Sequence, residues 1–293
     1  MATMKRSVVS CFIIKDYLGK AQVAMFRRSG KVRTYPHQLG AISGSVDKED
    51  ASPLATAWRE LEEETTLTSK SLALIRQGKP YIFVDDKIGR EWTIYPFAFQ
   101  LKTVGEGGAG EAGIQIDWEH ESWGWYNPME VEDTPEFGGV PRIAESLRRV
   151  WFEKDIGETP GKILRDGLKR LQTDQSGEQE LAGLALEILR DVVREMDSSW
   201  SWDQWWSKTR FVAWHIWKNG RDSMEATIKS VLLSTLADVE KIVSDQVDQG
   251  EQVSSATMIA TAVEELTYRT HSRQSDPARL VPAALEELIF GNL

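Results

Sequence analysis

Apolar positions change their spacing near the middle of this 293-residue chain. In the first half they fall in short β-branched or aromatic runs bounded by Gly, Asp or Lys. These runs predict strands at residues 7–14, 22–28, 39–44, 81–84 and 92–101, with 85–90 as a hairpin connection. Two helices interrupt them. One opens at Ser52-Pro53, where the serine hydroxyl can accept from a free amide and proline fills the first helical position without wasting a donor. The other runs from Pro141 to about Phe152, with Ile143, Leu147 and Trp151 in one stripe. Beyond the Gly- and Pro-containing residues 157–161 the period becomes helical and stays so: Leu164, Leu168 and Leu171; Leu181, Leu184, Ile188 and Val192; Ile228, Leu232, Leu236, Val239 and Val243. Asn219-Gly220 reads as a helix stop, and Asp222-Ser223-Met224-Glu225 as a capping box for the next helix. The pattern predicts two domains, 1–155 of mixed α and β structure and 156–293 all-α.

Composition agrees with two folded domains. At 41% apolar and 27% charged residues the chain is ordinary for globular protein, which disfavours wholesale disorder and a disulfide scaffold. Residues 1–155 carry 20 basic against 23 acidic side chains and 156–293 carry 15 against 22, so neither half has the basic excess of a general nucleic-acid binder, and no nucleic-acid partner is expected. No stretch approaches the roughly 20 apolar residues of a membrane span, so no membrane partner is expected either. Met4-Lys5-Arg6 and the apolar run after it read as a first strand rather than a signal peptide, because Lys15-Asp16 interrupts the run. The lone Cys11 lies in that run and cannot form an intramolecular disulfide, which fits a reducing, cytoplasmic setting. Residues 105–113 read as a flexible loop, since they lack the Gly-Lys-Ser/Thr ending of a phosphate-cradling loop. His37, His120, His215 and His271 show no paired metal spacing and read as structural. Trp200, Trp202, Trp205, Trp206, Trp214 and Trp217 read as core or interdomain packing, with a mixed phase that also permits an exposed patch.

The chemistry concentrates in Arg59-Glu60-Leu61-Glu62-Glu63-Glu64. At 100° per residue Glu60, Glu63 and Glu64 share one sector of a helix, while Leu54, Ala57, Trp58 and Leu61 share a neighbouring one. Like charges at these spacings destabilise a helix by a few tenths of a kcal/mol per pair, and no Lys or Arg follows within a turn. A hard divalent cation would relieve them, since such ions take carboxylate oxygens together with substrate phosphates. The bland alternative is a solvated acidic face.

Read back to Gly44, this stretch resembles the Nudix box, whose pattern is Gly, five residues, Glu, seven residues, then Arg-Glu-apolar-x-Glu-Glu-x-Gly-apolar. The second half matches at every specified position except Gly, where Thr66 stands. The first half is one residue long: Gly44 precedes Arg59 by 15, and the box Glu falls at Ala51, beside Glu49 and Asp50. The flanks also resemble the family, with Arg27-Arg28-Ser29 ending a strand before the box and residues 119–126 leading into a late strand. The resemblance, over about residues 6–152, implies an α/β/α sandwich that binds Mg²⁺ or Mn²⁺ and hydrolyses a nucleoside diphosphate linked to another moiety. It makes Glu60, Glu63 and Glu64 metal ligands, the Gly44 carbonyl an additional one, and Arg59 the residue that orients carboxylates. Glu119 and Glu121 become candidates for the general base, and Arg27 and Arg28 for contacts to a substrate phosphate, of which at most one should point inward. Thr66 implies either a different turn or weakened activity.

The helical half resembles, through Ile163-Leu164-Arg165-Asp166, residues 177–189 and residues 214–224, the N-terminal helical domain shared by regulatory subunits of translation initiation factor two-B and related sugar-phosphate isomerases. That implies the front of a fusion of the kind fungal proteins make between a Nudix domain and such a unit, whether naturally short or truncated, and it allows a homo-oligomer or a protein partner through the helices. The alternative to a hydrolase is a non-catalytic Nudix-fold module whose helices recruit that partner.

Overall fold

In a computed structural model, described over residues 4–17, 19–219, 225–248 and 253–272, the chain forms two units, Met1–Trp151 and Phe152–Leu293. The first is built on a seven-stranded mixed sheet. At its centre β1 (Met4–Tyr17) pairs in parallel with β6 (Arg90–Leu101), from Met4 opposite Arg90 to Ile14 opposite Gln100. On its other edge β1 meets β2 (Lys20–Arg28) only from Ile14 to Tyr17. The strands then part, and residues 42–46 fill the gap: Val9 N donates to Gly44 O, Cys11 N to Ile42 O and Val46 N to Ser7 O. This wedge sets Gly44 beside the central strand. β3 (Leu39–Gly40) and β7 (His120–Tyr126) flank β2, while β4 (Leu72–Gln77) and β5 (Tyr81–Asp85) pair with successive parts of β6.

Alternate side chains of β1 build two cores. Val9, Cys11 and Ile13 pack with Ala57 and Leu61 of α1 (Pro53–Thr65), and Phe12 and Ile14 pack with Ile143 and Leu147 of α2 (Ile143–Arg148). Helices therefore cover both sheet faces. Leu61 is fully buried, worth about 1.5–3 kcal/mol, and this contact fixes which side of α1 turns outward. Ser52 Oγ accepts from Ala55 N at 3.2 Å, and Pro53 follows it.

Some elements differ from the sequence expectation. The strand at 39–44 shrinks to two residues because 42–46 leave β2 to pair with β1. β4 was not expected. Residues 120–126 are themselves a strand rather than a lead into one. The helix at 141–152 is reduced to α2, since Arg142 stands at φ 64° before it, although Val150 and Trp151 beyond it remain buried. Residues 105–113 contain parts of two 3-10 turns, Val104–Glu106 and Glu111–Gly113, and Ala109 N donates to Ser71 Oγ at 3.0 Å.

The second unit is helical: α3 (Glu153–Ile156), α4 (Glu158–Thr173), α5 (Glu178–Arg194), α6 (Trp202–Lys218), α7 (Glu225–Asp248) and α8 (Ser255–Ser272). One core joins the leucines of α4, α5 and α7 with Trp205, Trp206, Trp214 and Trp217, while Trp200 and Trp202 pack partly buried against it. Gly220 and Asp222-Ser223-Met224 of the expected helix stop and capping box lie outside the described residues. No described helix is long and apolar enough to cross a membrane.

Candidate active site

The turn that closes α1 keeps its left-handed form without glycine. Thr66 sits at φ 63°, ψ 4°, its N–H donates to Glu62 O, and its hydroxyl donates to Gly113 O at 3.1 Å. The departure from the box pattern therefore leaves the turn in place and loads it with strain, about 1–2 kcal/mol for an L-residue in this region.

Along α1 the carboxylates separate by burial. Glu60 and Glu64 are 8% and 2% exposed, whereas Glu63 is exposed and its carboxylate accepts from Arg59 Nη1 at 3.1 Å. Glu60 and Glu64 lie one turn apart on α1, and Glu64 Oε2 lies 2.5 Å from His120 Nε2 on β7. Glu64 Oε1 and His120 Nδ1 are buried with no hydrogen-bond partner. Arg59 is the organiser: it pairs with Glu60 Oε1 at 2.6 Å and Asp50 Oδ2 at 3.1 Å, and donates to Ser45 O at 3.2 Å. Asp50 also accepts from Thr56 Oγ1 at 2.8 Å. Gly44 lies against Glu60 so closely that an added Cβ would stand 2.0 Å from the carboxyl carbon.

Electrostatics follow from this packing. Burial, then the charge of Glu64, pushes Glu60 up to about 7. Burial, then Glu119 and Asp117, raises Glu64 well above the usual carboxylate range. Burial lowers His120 to about 4. Burial thus opposes charge on both Glu64 and His120. Asp50 is the opposite case: the Arg59 guanidinium, then the Thr56 hydroxyl, hold it down at about 2.

A cavity of about 580 Å³ opens beside Glu60 and Gly44. Of the two base candidates Glu119 lines it, while Glu121 lies outside the lining, 3.0 Å from His37 Nδ1. Of the two arginines Arg28 lines it, with Nη1 donating to Ser43 Oγ at 3.3 Å, whereas Arg27 turns to the His37 carbonyl at 2.7 Å. Sequence reasoning missed two participants. Asp50, one residue before the expected acidic position, takes up Arg59, and a one-residue slip in the loop was the available signal. His120, read as structural, meets Glu64 across 56 residues of sequence, for which there was no signal.

Among the described residues no three His, Cys, Asp or Glu side chains are grouped so as to hold a metal ion by themselves. The residues nonetheless fit a magnesium-like ion, which takes one or two carboxylates and completes its shell with water and phosphate. Two buried carboxyls sit one helical turn apart with only Arg59 paired to Glu60, one Glu64 oxygen is unpartnered, and the Gly44 carbonyl keeps a lone pair beyond its bond from Val9 N. A cation there would reverse the bias against ionisation.

A strand-flanked loop that seats a glycine against the first glutamate of an Arg-Glu-x-x-Glu-Glu helix defines a Nudix-type site. Residues 4–150 match the NUDIX domain family, and the chain belongs to it. Among solved structures the chain is similar to a C. elegans Ap4A hydrolase binary complex, at 18% identity over 50% of this chain and 94% of that one, TM-score 0.39. It is also similar to the NUDIX domain of Shewanella oneidensis NrtR complexed with ADP ribose, at 14% identity over 49% and 86%, TM-score 0.36. A third is a MutT protein from Methanosarcina mazei Go1, at 20% identity over 47% and 89%, TM-score 0.34. No curated protein matches the chain.

Proposed function

We propose that this chain is a metal-dependent hydrolase that cleaves the pyrophosphate of a nucleoside diphosphate linked to another moiety, such as a nucleoside diphosphate sugar. The observation that carries the reading is the pair of buried carboxyls Glu60 and Glu64 on one face of α1, with Glu60 pressed against Gly44 at the wall of a cavity. Glu60, Glu64 and the Gly44 carbonyl would hold Mg²⁺ or Mn²⁺, with Glu63 the next carboxylate on the same helix. When bound, such an ion offsets charge on the pyrophosphate and lowers the pKa of a coordinated water. Arg59 fixes Glu60 and Asp50 in place, and His120 fixes Glu64 from behind. Arg28 binds a phosphate oxygen at the cavity wall. Glu119, the candidate base that lines the cavity, takes the proton from the attacking water.

The test is turnover across nucleoside diphosphate sugars, dinucleotides and nucleoside triphosphates with Mg²⁺ or Mn²⁺, using Glu64→Gln as control. The reading expects hydrolysis that falls about 10²–10³-fold in the control. Hydrolysis unchanged by the substitution would remove Glu64 from the mechanism. For the helical unit we propose a role in self-association or partner recruitment, supported by its resemblance to the initiation factor two-B helical domain. Light scattering of the full chain reads the first, and a monomer at all concentrations would exclude it.

A further inference from the structure

One edge of the sheet is built by β4 and β5, laid end to end along β6. Among the described residues β5 pairs with β6 alone, so the backbone groups on its outer side have no strand to meet. Register decides where its side chains point. Tyr81 stands opposite Ile94 and Phe83 opposite Trp92, and all four belong to one small core, so Ile82 and Val84 project from the other face. There Ile82 is 64% exposed and Val84 52%, while Ile88 in the following hairpin is 40% exposed. A single exposed apolar side chain is ordinary, but three so close together on an edge strand make a patch. Protective residues stand only at its ends, Lys79-Pro80 before the strand and Asp86-Lys87 after it.

We infer that β5 is an interface for a second copy of this chain, the two β5 strands pairing antiparallel about a two-fold axis at Ile82. The inference is independent of the hydrolase reading and of any association through the helical unit. The sequence of the strand selects this occupant, because a two-fold contact needs a patch complementary to itself. Pairing about Ile82 sets Val84 of each copy against Pro80 of the other, Lys79 against Asp85 and beside the exposed Asp86, and Lys87 against Gln77. Apolar side chains then meet apolar ones, opposite charges meet, and no like charges face each other. Moving the axis to Phe83 brings Lys79 against Lys87, and moving it to Tyr81 leaves Lys79 against Phe83, so the charge match holds only at Ile82. Size sets the strength. A five-residue strand with three apolar side chains covers less than the roughly 800 Å² per partner of a standard interface, so the dimer is weak and forms as concentration rises.

The experiment is light scattering of the full chain from micromolar to near-millimolar concentration, with wild type, Ile82→Asp and a control, Val104→Asp. The control changes an apolar side chain that is 74% exposed in a turn away from β5, and thermal melting checks the fold of both variants. At the highest concentration a mixture of light and heavy isotope-labelled wild type is treated with a zero-length carbodiimide cross-linker, since only contact between copies joins a light peptide to a heavy one. The expected result is a mass rising toward the dimer for wild type and control, association at least about tenfold weaker in Ile82→Asp, and light–heavy links from Lys79 to Asp85 or Asp86. A monomer throughout would overturn the inference, as would a control that dissociates as much as Ile82→Asp. Association that survives Ile82→Asp, or that yields no light–heavy link from Lys79, would place the contact elsewhere and overturn it equally.

Discussion

Replacing Gly44 by Ala separates the candidate active site from the fold that carries it. The backbone there is outside the left-handed region, so alanine is sterically allowed by its own geometry, and Gly→Ala at such a position favours folding by about 0.4–1 kcal/mol. The new Cβ would stand 2.0 Å from the Glu60 carboxyl carbon and from Oε1, where contacts under 3.4 Å are already tight. The carboxylate must retreat by about 1.4 Å, and because it is the end of a flexible side chain the cost is that of an off-rotamer glutamate, about 0.5–1.5 kcal/mol. Stability should therefore change by no more than about 1 kcal/mol. Catalysis should not be spared, since a misplacement of about 1 Å in a reacting group costs about 10²-fold. The assay pairs thermal melting with kcat/KM for Mn²⁺-dependent pyrophosphate hydrolysis on the best substrate of the panel. A variant that melts like the wild type and retains kcat/KM within threefold would refute the placing of Gly44 against a functional Glu60.

Other outcomes follow from the same geometry. Thr66→Gly removes about 1–2 kcal/mol of left-handed strain, loses an exposed hydrogen bond and adds unfolded-state entropy of about 0.5–1 kcal/mol, while Thr66→Ala keeps the strain and loses the bond. Melting temperatures should rank Gly, then Thr, then Ala, and alanine above glycine would contradict this. Because the folded pKa of Glu60 is raised to about 7, its contribution to stability is complete below about pH 4.3 and is lost as pH rises through 7 in ion-free protein. The protein melted in chelator should lose this contribution between about pH 4.3 and 7, and Glu60→Gln should flatten that part of the slope; an equal slope in both would reject the shift. Asp50 behaves in the opposite sense: its folded pKa is depressed to about 2, so its contribution is present above about pH 3.9 and disappears as pH falls toward 2. Asp50→Asn should melt lower than wild type at pH 6 and converge with it in acid, and a constant gap would count against the Arg59 pairing.

How legible this was in the sequence depends on the range of the contacts. Four of the expected strands lie where short apolar runs put them, because a strand in a sheet covered on both faces needs little more than its own side chains to declare it. β3 shortened because the decision between β2 and β1 as partner for residues 42–46 is made by hydrogen bonds far along the chain. β4 escaped because Leu72–Gln77 has no clean alternation, and its register shifts between Leu74 and Arg76. In the site, helical spacing placed Glu60, Glu63 and Glu64 in one sector. It could not show that Arg59 draws Glu63 outward while Glu64 sinks onto His120. The cavity wall was equally hidden, since Arg6, Arg33 and Arg90 lie on three segments that only folding joins.

The central claim is that Glu60 and Glu64 together hold one divalent ion at the cavity. Isothermal titration of Mn²⁺ into wild type, Glu60→Gln, Glu64→Gln and Glu121→Gln at pH 8 tests it most directly. The account predicts one ion per chain, an affinity at least about tenfold weaker in each of the first two variants, and wild-type affinity in the third. Equal affinity in all four proteins, or no heat in any of them, would contradict it.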